Sequence, residues 1–110
     1  MAAQCTPDTG DIVWLHFTPQ AGHEQAGHRP ALVLSPASYN AKSGLMVCCP
    51  ITTQIKHYPF EVLLQQEPPA VVLADQIKSL DWRSRKAARK GKASAAELAE
   101  VRAKAVALIC

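Results

Sequence analysis

Residues 10–36 read GDIVWLHFTPQAGHEQAGHRPALVLSP, and this segment sets the architecture expected of the whole chain. Positions 11–17 are almost wholly apolar, which predicts a strand covered on both faces. Positions 18–28 are polar and carry Gly22 and Gly27; a connection of that length is long for a hairpin, and long loops often serve function. Arg29 and Pro30 close the loop, and 31–35 form a second short strand that Pro36 stops. Working outward, SYNAKSG at 38–44 reads as a turn by composition. A third strand spans 45–52, with Pro50 near its end implying an edge or a bulge. A second polar loop, 53–59, leads to a fourth strand at 60–64. The connector 65–69 then leads to a fifth at 71–74. Positions 79–85 have room for one helical turn, and 87–93 reads equally as helix or as an extended basic edge strand. Ser94 followed by Glu97 is a capping box, each side chain reaching the other residue's backbone N–H. Leu98, Val101, Ala105, Leu108 and Ile109 then share one helical face, with Glu100 and Lys104 paired on the other side. Five short strands and a closing helix predict a mainly β, α+β fold: a small antiparallel barrel or curled sheet forming one domain over 1–110.

Composition narrows the function. The chain has 110 residues, 48% hydrophobic and 19% charged, which excludes a disordered chain. A chain of this size can bury about 65% of its unfolded surface, enough for a core without disulfide or metal staples. The longest apolar runs, 45–49 and 70–74, fall far short of the ~20 residues that span a bilayer. The N-terminal residues lack a basic segment followed by an apolar one, so a cytoplasmic location is expected. Of the four cysteines, Cys48 and Cys49 are adjacent on a strand and so point to opposite faces. With no CxxC or HxxxH spacing, free thiols are expected and neither metal nor cofactor is implied. Net charge is +3, yet Arg83, Arg85, Lys86, Arg89, Lys90 and Lys92 hold six of the twelve Lys and Arg. Such a block suits a phosphate backbone, an acidic protein partner or simply a solvated face. Aromatic residues, at 5%, are too few for an RNA module built on stacking. Trp14 and Trp82 read as core or interface anchors, and His16 as a satisfied strand residue.

The polar residues that punctuate strand ends are Glu24, His28 and Arg29, then Thr52 and Thr53, then Asp75, Gln76 and Lys78. In a small barrel, strand ends converge on shared rims, and these residue types suit work on a phosphodiester. Arginine offers a rigid donor fork to two phosphate oxygens, and a threonine hydroxyl reaches a third. RNA supplies its own nucleophile, the ribose 2′-OH, so alignment, charge stabilisation of a phosphorane and proton transfer suffice. Arginine, with a pKa above 12, is a poor base. Arg29 is therefore assigned to electrostatics, and Glu24 or His28 is the more conventional proton acceptor. The structural alternatives stand beside this reading. Arg29 could be a rim ion-pair partner of Asp11 or Glu61, Thr52 and Thr53 plain β-branched strand residues, and Glu24 and His28 solvated loop residues.

Three blocks in order, GDIVWLHFTPQAGHEQAGHRPALVLSPASYN, CCPITTQIKHYPFEV and LADQIKSLDWR, resemble the MazF branch of the PemK/Kid toxin family across nearly the whole chain. The resemblance implies an SH3-like barrel with peripheral helices, including a C-terminal one, assembled as a homodimer. It implies the toxin of a toxin–antitoxin pair. That toxin would be a metal-independent endoribonuclease (mRNA interferase) cutting single-stranded RNA at ACA-like motifs, leaving a 2′,3′-cyclic phosphate and a 5′-hydroxyl. By position, it makes Arg29, Thr52 and Glu24 catalytic, and it gives the arginine a proton-transfer role beside the electrostatic one, which leaves the general base and acid open. His28, Thr53, Lys56, Gln76 and Lys78 fall near RNA, and the basic segment that includes Arg83 and Arg85 tracks phosphates. The implied partner is an acidic MazE-like antitoxin, partly disordered, that fills the RNA groove. The chain departs from close relatives at His16, where they carry an acid, and at the proline-rich QQEPP connector, which bears on sequence preference. Two readings compete with the nuclease. One is a CcdB-type gyrase poison on the same barrel, a branch that relies on its C-terminal residues. The other is a catalytically silent RNA-binding barrel.

Overall fold

The computed structural model describes residues 5–17 and 27–110. The apolar segment that opens the chain is strand β1, Asp11–Phe17, and it pairs antiparallel with β2, Gly27–Val33, in the register Trp14 to Pro30 and His16 to His28. A short helix α1, Ala37–Ser43, precedes β3, Leu45–Thr52. Strands β4, Glu61–Leu64, and β5, Ala70–Leu73, follow, and the helix α2, Ala95–Ile109, closes the chain. Two further strands complete the sheet: β6, Lys78–Asp81, which lies along β3 and was not expected, and β7, Ala88–Lys92, which lies along β1 and is the edge-strand alternative for 87–93. Together they make a seven-stranded antiparallel sheet in the order β4-β5-β3-β2-β1-β7, with β6 on β3. This is the expected mainly β half-barrel with a C-terminal helix.

Alternation along the strands builds two cores. Ile12, Leu32, Cys49, Ile51, Val62 and Val72 fall on one face, where Val101 and Leu98 of α2 cover them. Val13, Leu15, Ala31, Val33, Met46 and Cys48 fall on the other, around Trp82. Adjacent cysteines thus enter opposite cores, as the pleat requires, and all four cysteines are free.

Several sequence expectations need correction. The second strand runs from Gly27 to Val33 rather than over 31–35, so His28, Arg29 and Pro30 belong to β2 and not to the loop before it. The stretch 38–44 is not a turn but the body of α1, which ends at Gly44 with φ 75°, a left-handed cap that suits glycine. Its composition is turn-like because it serves a buried polar hub. Asn40 is fully buried, donates to the carbonyls of Pro7 and Ser35, accepts from the Ser35 hydroxyl, and offers its own carbonyl to Trp82 Nε1 at 2.9 Å. At 79–85 the first residues extend as β6, and the single helical turn follows it, the Arg85 amide donating to the Asp81 carbonyl four residues back at 3.2 Å. The Asp81 carboxylate accepts the amides of Arg83 and Ser84, and Lys86 takes φ 53°. The capping box of α2 is present, Ser94 and Glu97 each receiving the other's amide at 3.1 and 2.8 Å. The apolar stripe, however, outruns the sheet: Val101 and Ala105 are buried, while Leu108 and Ile109 are 48% and 73% exposed.

Candidate active site

The site begins at a fork between two strands. β2 and β3 pair at Val33 with Cys48, Leu32 with Cys49 and Ala31 with Pro50. Beyond that point β3 runs on along β5, Ile51 facing Val72 and Thr52 facing Val71. Pro30 and Pro50 carry no N–H, so the β2–β3 ladder has lost its donors where the strands part. Continued in register, Arg29 would face Thr52; instead the fork opens a groove of about 930 Å³ lined by both.

The groove also takes in His28, Thr53, Lys56, Gln76 and Lys78, so seven of the residues singled out in the sequence share one cleft. Lys90 from β7 joins them, and its ammonium sits 5.2 Å from the Trp14 ring, which lines the same wall. Arg29, Lys56, Lys78 and Lys90 outnumber Glu61 and Glu67 on its walls, so the cleft is net cationic, the field a phosphate backbone requires. Thr52 Oγ1 accepts the Gln54 amide at 3.1 Å, which leaves the hydroxyl proton available to a ligand oxygen. The following loop is fixed by Glu61, whose carboxylate accepts the amides of Lys56 at 3.1 Å and His57 at 2.9 Å, while His57 takes a positive φ of 63°. Tyr58, 59% exposed, stands on that loop at the groove's edge. Cys48 reaches the groove wall, but burial pushes its thiol up to about 11, so it is protonated at neutral pH and no nucleophile. Among the described residues no group of three or more His, Cys, Asp or Glu could hold a metal ion.

The remaining sequence candidates lie elsewhere. Glu24 and the long loop around it fall outside the described residues. Asp75 does not line the groove. Arg83 and Arg85 do not line it either. The Arg83 guanidinium lies 4.7 Å over the Trp82 ring and donates to the carbonyl of Ala41, and Arg85 uses its carbonyl to accept the His16 amide at 2.8 Å. The basic block is therefore dispersed by β7 and the turn before it: Arg89 faces Asp11 at 3.6 Å, and of the block only Lys90 lines the cleft. The proposed carboxylate partners of Arg29 are engaged by other groups as well, Asp11 by Arg89 and Glu61 by loop amides.

Sequence reasoning missed Trp14, Tyr58 and Glu61 as groove residues and had Lys90 only as one member of the basic segment. Lys90 reaches it through the β1–β7 pairing, which no local pattern announces. Tyr58, a lone aromatic in a polar loop, was a usable signal.

The profile of the family described as the PemK-like, MazF-like toxin of type II toxin–antitoxin systems matches residues 8–109. The chain belongs to that family. It is 53% identical over 110 residues to the endoribonuclease toxin MazF of Escherichia coli strain K12, covering 99% of both chains. It is 39% identical over 94 residues to the endoribonuclease toxin ChpB of the same strain, covering 79% of this chain and 80% of that one. Among solved structures, MazE–MazF (Form-II) from Deinococcus radiodurans superposes with a TM-score of 0.89 at 58% identity over 96% of each chain. The MazF-like fold and the grouping of Arg29 with Thr52 thus arise in one chain.

Proposed function

We propose that this protein is the toxin of a type II toxin–antitoxin pair and an endoribonuclease that cuts single-stranded RNA by turning the substrate's own 2′-hydroxyl onto the adjacent phosphate. The observation that carries the mechanism is the fork of β2 and β3, which puts Arg29 and Thr52 on one cationic groove. Arg29 presents paired donors to the non-bridging oxygens as charge builds on the phosphorane, and the Thr52 hydroxyl donates to a third oxygen. His28, Thr53, Lys56, Gln76, Lys78 and Lys90 hold the chain on either side of the scissile linkage. The attack breaks the P–O5′ bond and yields a 2′,3′-cyclic phosphate and a 5′-hydroxyl; no metal takes part. Glu24 is a further catalytic candidate from the long loop. The target is a short ACA-like motif, which primer-extension mapping of cut sites on a long RNA reads out.

The chain acts as one domain over 1–110, in the cytoplasm and as a homodimer. No helix among the described residues is long and apolar enough to cross a membrane. Its partner is an acidic MazE-like antitoxin whose carboxylates answer Arg29, Lys56, Lys78 and Lys90 and thereby shut the groove.

Incubation of the purified protein with end-labelled single-stranded RNA in excess EDTA tests the reading. Fragments ending in cyclic phosphate are expected. Salt-sensitive binding without fragments would leave a silent RNA-binding barrel. Gyrase inhibition without fragments would leave the CcdB-type alternative, which the family match disfavours.

A further inference from the structure

The nuclease reading leaves a proton unassigned. The 2′-hydroxyl must lose one as it attacks; Arg29 is a poor acceptor, the Cys48 thiol is protonated, and Glu24, the other acceptor named from the sequence, lies outside the described residues. One pair of side chains at the groove supplies an acceptor. His16 on β1 and His28 on β2 are direct cross-strand partners, and their Nε2 atoms meet at 2.8 Å with the rings nearly perpendicular, centroids 4.2 Å apart. An N–H···N contact of that length requires one ring to donate and the other to accept, so the pair holds a single proton between the two Nε2 atoms. With Nε2 of His28 taken up by His16, Nδ1 is the ring nitrogen of His28 left for substrate. His28 lines the groove with Arg29 and Thr52, whereas His16 does not.

We infer that His16 and His28 form a proton-transfer dyad in which His28 is the base for the 2′-hydroxyl and His16 is the positioning residue that fixes its tautomer. In the starting state His28 donates Nε2–H to the bare Nε2 of His16, which leaves His28 Nδ1 unprotonated. The 2′-OH proton moves to His28 Nδ1 as the O2′–P bond forms and the P–O5′ bond breaks. The His28 imidazolium, still donating Nε2–H to His16, then gives its Nδ1 proton to water while the leaving 5′-oxygen takes one from water, so the protons balance and both rings return to their starting tautomers. The ionisable groups that the neighbouring segments bring toward the pair are Arg29, next to His28, Arg85, whose carbonyl holds the His16 amide, and Lys90, over Trp14. Indole and imidazole also approach, the Trp14 and His28 rings lying 6.2 Å apart, so Trp14 closes one side of the dyad.

This inference rests on the nuclease reading, and the test separates the two. Single-turnover cleavage is measured against pH for the full-length wild type, His16→Phe and His16→Gln, with ¹⁵N shifts of the His28 ring recorded in the same proteins. His16→Phe keeps a ring but no acceptor; His16→Gln keeps an acceptor oxygen. The expected result is a loss of about tenfold or more in the rate constant for His16→Phe, within the range general base catalysis supplies, with little change in half-saturating RNA. The acidic limb of its profile moves to lower pH, and His28 loses its preference for the Nε2–H tautomer; His16→Gln restores most of the rate and the tautomer. A wild-type rate and profile in His16→Phe overturns the dyad, and so does an equal loss in both variants with an unmoved acidic limb. If the wild type itself cuts no RNA, the nuclease reading falls. The ring shifts then decide the dyad alone: a His28 that holds no tautomer preference in the wild type overturns it. Should His16→Phe fail to fold, His16→Gln and the wild-type shifts carry the same decision.

Discussion

Asn40, on the helix that leads into β3, and Thr52, at the far end of β3, are both short polar side chains, and they meet opposite fates. Asn40 has no exposed surface, and its amide, its carbonyl oxygen and its backbone carbonyl all have partners within the protein: Pro7, Ser35 and Trp82. Thr52 is half-buried; its hydroxyl accepts one amide from Gln54 and otherwise opens on the groove. At the α1 end, polar groups are turned inward and consumed, because burying them without partners would cost more than the fold can bear. At the β2–β3 fork, two prolines cancel the ladder and polar side chains face a cleft that only a ligand fills. Polar residues that satisfy one another specify structure, and those gathered where pairing stops are available for chemistry.

Substitutions on the two sides should therefore separate activity from stability. The largest effect is expected from Arg29→Ala. Cleavage should fall by about 10³ to 10⁵, the scale on which an arginine stabilises a phosphoryl transition state, while the thermal midpoint stays within ~2 °C. Near-wild-type cleavage in that variant would remove the central role assigned to it. Thr52→Val keeps the shape and deletes the donor. About 2–4 kcal/mol of transition-state stabilisation should be lost in single-turnover assays, and an undiminished rate would leave Thr52 a plain strand residue. Asn40→Ala reverses the pattern. It strands the Ser35 hydroxyl and the Pro7 carbonyl, so urea unfolding should show about 2–3 kcal/mol less stability, with the rate per folded molecule unaltered. A loss of rate without loss of stability would erase the distinction between the two ends.

How much of this the sequence disclosed differs between the same two regions. The apolar runs of β1 to β5 and the Ser94–Glu97 box are local patterns, and they came through because alternation and capping are local physics. So did the gathering of Arg29, Thr52, Lys56, Gln76 and Lys78, since strand ends meet in any small barrel. Helix α1 was hidden because Ser38, Asn40 and Gly44 are turn formers unless a buried hub engages them. β6 was hidden because KSLD is mostly polar and gains its strand state from β3, and ARKGK stayed open between helix and edge strand because only its pairing with β1, distant in sequence, decides it. The exposed end of α2 was misjudged for a related reason: an amphipathic pattern says which face is apolar, not how far the sheet beneath it extends.

The basic segment 83–92 gives the finest test, because one run of charge serves both regions. The sequence treats Arg83 and Lys90 alike as phosphate contacts. In the fold, Arg83 is spent at the α1 end, over Trp82 and on the Ala41 carbonyl, whereas Lys90 stands on the groove wall beside Trp14. Each phosphate neutralised on a single strand adds about 0.7 to the slope of log affinity against log salt. Lys90→Ala should lower that slope by roughly this amount and weaken RNA binding uniformly across sequences. Arg83→Ala should leave the slope where it is and act on stability alone, through the lost stacking and the freed carbonyl. Binding titrations of the two variants across a range of salt concentrations measure the difference. Equal slopes for both would mean that RNA follows the charge block along the chain rather than the cleft the strands create.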